Sequence, residues 1–152
     1  MPYRIAKSIT VESGHLLTKH PGACKFPHGH SRTIEVVLAA DTLDERDMVC
    51  DFKALKQTIL EFVVRFDHSM AINTSDPLYG AYREAYGDRI IPFERSDPTS
   101  EAMAKYIFEH VKHALVNAVH NPVDPLFPVR RVVRLERVRV TETESSWAEY
   151  GE

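Results

Sequence analysis

Hydrophobic periodicity changes twice along the chain, and the order of those changes restricts the fold more than any single residue does. Tyr3, Ile5, Ile9 and Val11 alternate with Arg4, Ala6, Ser8 and Thr10, the period of two that turns one face of a strand inward. This predicts a first strand running toward Gly14 and His15. From His30 to Ala40, Ile34, Val36 and Leu38 share one parity and the polar Asp41-Thr42-Leu43-Asp44 follows, which predicts a second strand. The spacing then becomes helical. Phe52, Leu55, Ile59, Phe62, Val63 and Phe66 recur at three and four residues behind Asp51, a residue suited to cap the first amides. A helix is predicted over roughly Phe52 to Phe66. Met103, Tyr106, Ile107, His110, Val111, Ala114 and Leu115 form another stripe between Pro98-Thr99 and Asn121-Pro122, a second helix. Strand composition returns from Val129 to Thr143, with Val138, Val140 and Glu142 on one parity, and again around Trp147 to Tyr150.

Strand, strand, helix, helix, strand, strand lacks the βα alternation of a doubly wound sheet. The expected class is α+β, two layers, with a four-stranded antiparallel sheet and two helices. With 152 residues, 43% of them hydrophobic, the chain suits a single domain over 1–152 around one ordinary core. Residues 74–97 mix Pro, Gly, Tyr and charge without a steady period, and read as a long loop or insertion with a short helix around Tyr79 to Tyr86. Four strands also leave two edges, natural places for a subunit to pair. A net charge of -3 lacks the basic footprint of a nucleic-acid binder. No stretch approaches the roughly 20 apolar residues that span a bilayer. Two cysteines, Cys24 and Cys50, are too few for a disulfide framework and natural as free thiols, so a cytoplasmic location is expected.

Chemistry concentrates near the N-terminus. In His28-Gly29-His30 the spacing of two points both imidazoles to one face of an extended chain. His15, at the end of the first strand, supplies a third nitrogen if the two strands pair. Three histidines leave one position open, which matches catalytic zinc better than a closed structural site. Cys24, four residues before His28, reads either as a base or nucleophile ionised by its surroundings or as a fourth ligand closing the site. Cys50 reads as a small core residue. Asp67-His68 is either a carboxylate-oriented acid-base pair or a helix-end cation. Glu142 is either a half-buried acid able to take two N–H donors from a flat heterocycle or a solvated strand-end acid. Thr99-Ser100-Glu101 reads first as a helix start with an acid in its positive first turn. Arg130, Arg131, Arg134, Arg137 and Arg139 are expected to pair with acids on a solvated or subunit-facing side.

Taken in order, these pieces resemble the 6-pyruvoyltetrahydropterin synthase family, which includes the 6-carboxytetrahydropterin synthases of queuosine biosynthesis. The resemblance rests on Glu12-Ser13-Gly14-His15, Cys24-Lys25-Phe26-Pro27-His28-Gly29-His30, Val49-Cys50-Asp51-Phe52, Asp67-His68, Pro98-Thr99-Ser100-Glu101 and Val140-Thr141-Glu142-Thr143. It implies that His15, His28 and His30 bind zinc, that Cys24 is a general base, and that Asp67 with His68 completes a proton relay. By the same resemblance Glu142 anchors a pterin ring, with Thr99, Ser100 and Glu101 nearby. It further implies a two-layer tunnelling-type fold whose trimers close a barrel and pair into hexamers, with active sites between subunits. The substrate would be a dihydropterin carrying a triphosphorylated side chain. The product would be 6-carboxytetrahydropterin with acetaldehyde and triphosphate released, or, alternatively, 6-pyruvoyltetrahydropterin; a zinc- and pterin-binding module without turnover is a further alternative. The chain departs from the family pattern in an extra residue before Ile72-Asn73, in Ala102, and in the length of 74–97. All three bear on the substrate side of the site.

Overall fold

A computed structural model describes residues 1–152. The two opening runs of alternating residues form β1 (Tyr3–His15) and β2 (His28–Ala40), paired antiparallel from Tyr3 opposite Ala40 to His15 opposite His28. Inward residues of β1 are the odd ones, ending in Val11, Ser13 and His15, and those of β2 include Arg32, Ile34, Val36 and Leu38. Helix α1 (Phe52–Val64) starts at Asp51, whose side chain accepts from the Lys53 N–H. It buries Ala54, Leu55, Ile59 and Val63. Helix α3 (Ser100–His120) is capped by Thr99, which accepts from the Ala102 N–H, and buries Met103, Ala104, Ile107, Phe108, Val111, Leu115 and Ala118. Strands β5 (Arg134–Thr143) and β6 (Ser146–Gly151) complete one side of the sheet, with α3 packed along both. The main core cluster runs from Val11 to Val140 and joins both long helices to the sheet.

The sheet departs from the expected four antiparallel strands. It has six, in the order β4-β3-β1-β2-β5-β6, and it is mixed. Strand β3 (Ser69–Asn73) runs parallel to β1, and β4 (Ile90–Phe93) parallel to β3. There are three α-helices where two were expected, the third being α2 (Tyr79–Tyr86). That short helix occupies the residues predicted for it, but the rest of 74–97 is not a plain loop, since β4 lies within it. Both added strands are only four or five residues long, too short to display a period. Pro92 also disguises β4, and it is tolerated because β4 is an edge strand.

This β3–α2–β4 limb is fastened beside the end of β1. Asn73 Nδ2 donates to Asp97 Oδ1 at 2.9 Å, the Lys19 N–H donates to Asp97 Oδ2 at 2.8 Å, and Thr18 Oγ1 donates to Asp76 Oδ2 at 2.6 Å. Gly14 permits the close approach of β1 to β3: a Cβ there would stand 3.1 Å from Ser69 O and 3.0 Å from Met70 Cε. No helix of the chain is long and apolar enough to cross a membrane.

Candidate metal centre and active site

Pairing of β1 with β2 sets His15 opposite His28 and Ser13 opposite His30. Three imidazoles therefore meet at the loop end of the hairpin, each offering a nitrogen within 4.8 Å of the others. His15 is fully buried and its Nδ1–H donates to Pro98 O at 2.8 Å. His28 Nδ1–H donates to Phe26 O at 2.7 Å. Each carbonyl selects the tautomer whose Nε2 is bare. The two Nε2 atoms then face each other at 3.0 Å, and His30 Nε2 is buried without a hydrogen-bond partner.

Bare lone pairs at this separation repel until a cation stands among them. Burial pushes His15 down to about 4, outweighing the Pro98 bond, with Arg32 adding to the depression. Burial, then Arg32, also lowers His30. Both rings are thus neutral near pH 7, the state a metal requires of its ligands. Three converging ring nitrogens with one side open fit a catalytic metal ion. Cys24 is not one of the converging ligands, which favours an open site over a closed four-ligand one.

Glu142 stands at the rim. Its Oε1 lies 3.8 Å from His30 Nε2 and 3.9 Å from His15 Nε2, and accepts from Ser100 Oγ at 3.3 Å. The cap at Thr99 places Ser100 there as the first residue of α3, whereas Glu101 is exposed in the first helical turn.

Cys24 sits part-buried on a short 3-10 turn, Ala23–Lys25, between β1 and β2, where the Cys24 carbonyl accepts from the Leu17 N–H at 3.0 Å. Asp67 and His68 form a second corner, held by both backbone groups of Glu12. Asp67 Oδ1 accepts from the Glu12 N–H at 2.8 Å, and the His68 N–H donates to Glu12 O at 2.6 Å. His68 Nδ1 lies 3.0 Å from Asp67 Oδ2, with the His68 backbone at φ 55°. The Glu12 bond, then His68, holds the Asp67 carboxyl below its usual range. Within one chain this corner makes no hydrogen bond to the triad or to Cys24. Cys50 is buried and its thiol is pushed up to about 11 by that burial, an inert core residue as expected. Several of the late-strand arginines pair with acids: Arg134 with Asp41, Arg137 with Glu136 and Arg139 with Glu149.

Motif reading missed Arg32. Its side chain is fully buried, with Nη1 donating to Ser100 Oγ at 2.9 Å and to Thr141 O at 3.3 Å. Nη2 lies 3.3 and 3.2 Å from the two nitrogens of His15. The signal was present in the sequence, because a charge falls on the apolar parity of β2 between His30 and Ile34.

The family model for 6-pyruvoyl tetrahydropterin synthase matches residues 4–152. A 6-carboxy-5,6,7,8-tetrahydropterin synthase of Aquifex aeolicus is 34% identical over 171 residues, covering 100% of this chain and 99% of that protein. A probable 6-carboxy-5,6,7,8-tetrahydropterin synthase of Halobacterium salinarum is 34% identical over 114 residues, 74% of this chain and 72% of that one. In fold, the 6-pyruvoyl tetrahydropterin synthase of Plasmodium vivax superposes with a TM-score of 0.71 at 11% identity, over 100% of this chain and 98% of that chain. A match along nearly the whole sequence, together with a relative this similar from end to end, shows that the chain belongs to the 6-pyruvoyl tetrahydropterin synthase family.

Proposed function

We propose that the protein is a zinc-dependent lyase that converts 7,8-dihydroneopterin triphosphate to 6-carboxy-5,6,7,8-tetrahydropterin, releasing acetaldehyde and triphosphate, in the queuosine precursor pathway. The observation that carries this reading is the convergence of three imidazoles with bare inward nitrogens beside a carboxylate. The names of the sequence relatives favour the carboxy product over the pyruvoyl one.

His15, His28 and His30 would hold the ion, which when bound supplies a Lewis acid for the side-chain oxygens of the substrate. Cys24 takes a proton from the side chain as general base, and His68, oriented by Asp67, holds or returns one. Glu142 accepts two N–H donors from the pterin edge, with Thr99, Ser100 and Glu101 lining the same end. The absence of any hydrogen bond between Cys24 and the Asp67–His68 corner within one chain supports an active site completed by a neighbouring subunit in a trimer or hexamer. The sheet edges β4 and β6 are the strands available for such closure. One domain over 1–152 and a cytoplasmic setting belong to the same proposal, supported by the main core cluster and by two free cysteines.

The test is to incubate the zinc-loaded protein and its Cys24→Ala variant with 7,8-dihydroneopterin triphosphate and identify products by mass spectrometry. Formation of 6-carboxytetrahydropterin and acetaldehyde by the wild type alone supports the proposal. A pyruvoyl product moves the protein to the sister activity, and no product at full zinc occupancy leaves a binding module.

A further inference from the structure

Arg32 is among the largest fully buried side chains of the protein, and its charge is poorly compensated. Its nearest carboxylate oxygen, Glu142 Oε1, is 3.9 Å from Nη2, and its buried Nε has no hydrogen-bond partner. Near-equal distances of 3.3 and 3.2 Å to the two nitrogens of His15 place Nη2 over the face of the ring. It therefore leaves the Nε2 lone pair of His15 free. Nη1 donates to Ser100, the first residue of α3, so the guanidinium also abuts the positive end of a helix. A cation has been buried beside a helix N-terminus and a candidate cation site, with one hydroxyl, one backbone carbonyl and a rim carboxylate 3.9 Å away to offset its charge. Mere packing would be met at less cost by an apolar side chain of similar volume.

We propose that Arg32 is a positioning residue whose fixed charge makes the open side of the histidine cluster select an anionic oxygen, carboxylate or enolate in class, over a neutral one. This deepens the metal-centre reading and rests on it. Removing the charge should act with opposite sign on the two ligands of the site. The divalent ion should bind more tightly, because a repulsion is lost, and the anion more weakly. A brace that only held His15, Ser100 and Thr141 in place would, on removal, weaken both.

The test uses cobalt(II) in place of zinc, read by visible absorption, with acetate as the anionic probe and acetamide as its neutral counterpart. Arg32→Gln keeps N–H donors and loses the charge, and it should bind cobalt roughly tenfold more tightly and acetate roughly tenfold more weakly. Arg32→Met, of similar volume, loses the charge and the donors together and should shift both ligands in the same two directions. Weakening of both ligands in Arg32→Gln overturns the proposal. If Arg32→Gln does not fold, Arg32→Met decides, and weakening of both ligands there overturns the proposal. A wild type that binds cobalt without preferring acetate to acetamide overturns the role of Arg32 only, whereas one that takes up no cobalt overturns the metal reading and this proposal together.

Discussion

His15 and Arg32 are 0% exposed and Ser100 is 5% exposed, whereas Asp67 and His68 are exposed and Cys24 is half-buried. The first group is held by strand register, a helix cap and hydrogen bonds that the chain makes to itself. The second group lies on a turn and at a corner, and its members do not bond to the triad. The contrast teaches that folding alone prepares the proposed ligand set, while the proposed proton-transfer groups would need a further surface to exclude water from them. The inner half should therefore answer to mutation through metal content and stability, and the outer half through turnover.

The largest break should come from His15→Ala. It removes one of three donors and empties a buried position, so metal affinity should fall by more than the roughly 10- to 100-fold typical of losing an outer-shell partner. Metal content by mass spectrometry and activity should vanish together. Cys24→Ala should instead lower kcat by about 100- to 10,000-fold with metal content unchanged, as loss of a general base does. Metal loss in that variant would erase the distinction between the two halves. Glu142→Gln, on the rim between them, should raise KM by about 10- to 100-fold through loss of a charged acceptor, with a smaller change in kcat.

The smallest effect should be a pH dependence at the outer corner. Because the folded Asp67 carboxyl lies below its unfolded value near 3.8, its contribution is present above that value and is lost as pH falls through the folded one. The difference in thermal midpoint between wild type and Asp67→Asn, measured at pH 6, should begin to narrow only below about pH 4 and close once pH has fallen through the folded value. A difference that persists there would show that the corner is held by something other than the carboxylate's charge.

Legibility in the sequence followed element length instead. Strands β1 and β2 and helices α1 and α3 are long enough to repeat their patterns several times, and their ends carry capping residues such as Asp51 and Thr99. His15, His28 and His30 were readable because register follows from parity. Ser69–Asn73 and Ile90–Phe93 were not, since each takes its strand conformation from the neighbour it pairs with in parallel. His15 also depends on the Pro98 carbonyl, at the end of the segment that reads as an insertion. That contact joins residues 83 apart in sequence and no local pattern announces it. Arg32 stayed hidden for a different reason: a buried charge breaks the parity rule, and only its surroundings show why it is tolerated.

The β1–β2 ladder also divides the tolerance of this centre to change over evolutionary time. Inserting one residue into either strand next to a histidine would turn that imidazole to the opposite face, so the ladder cannot lengthen gradually without losing its donors. Residues 16–27, which carry Cys24, lie outside the ladder. Insertions and deletions there would shift the thiol while the three nitrogens stay in place. A descendant lineage could in this way acquire a different reaction without rebuilding its ion site, and the connector is where its divergence would accumulate first.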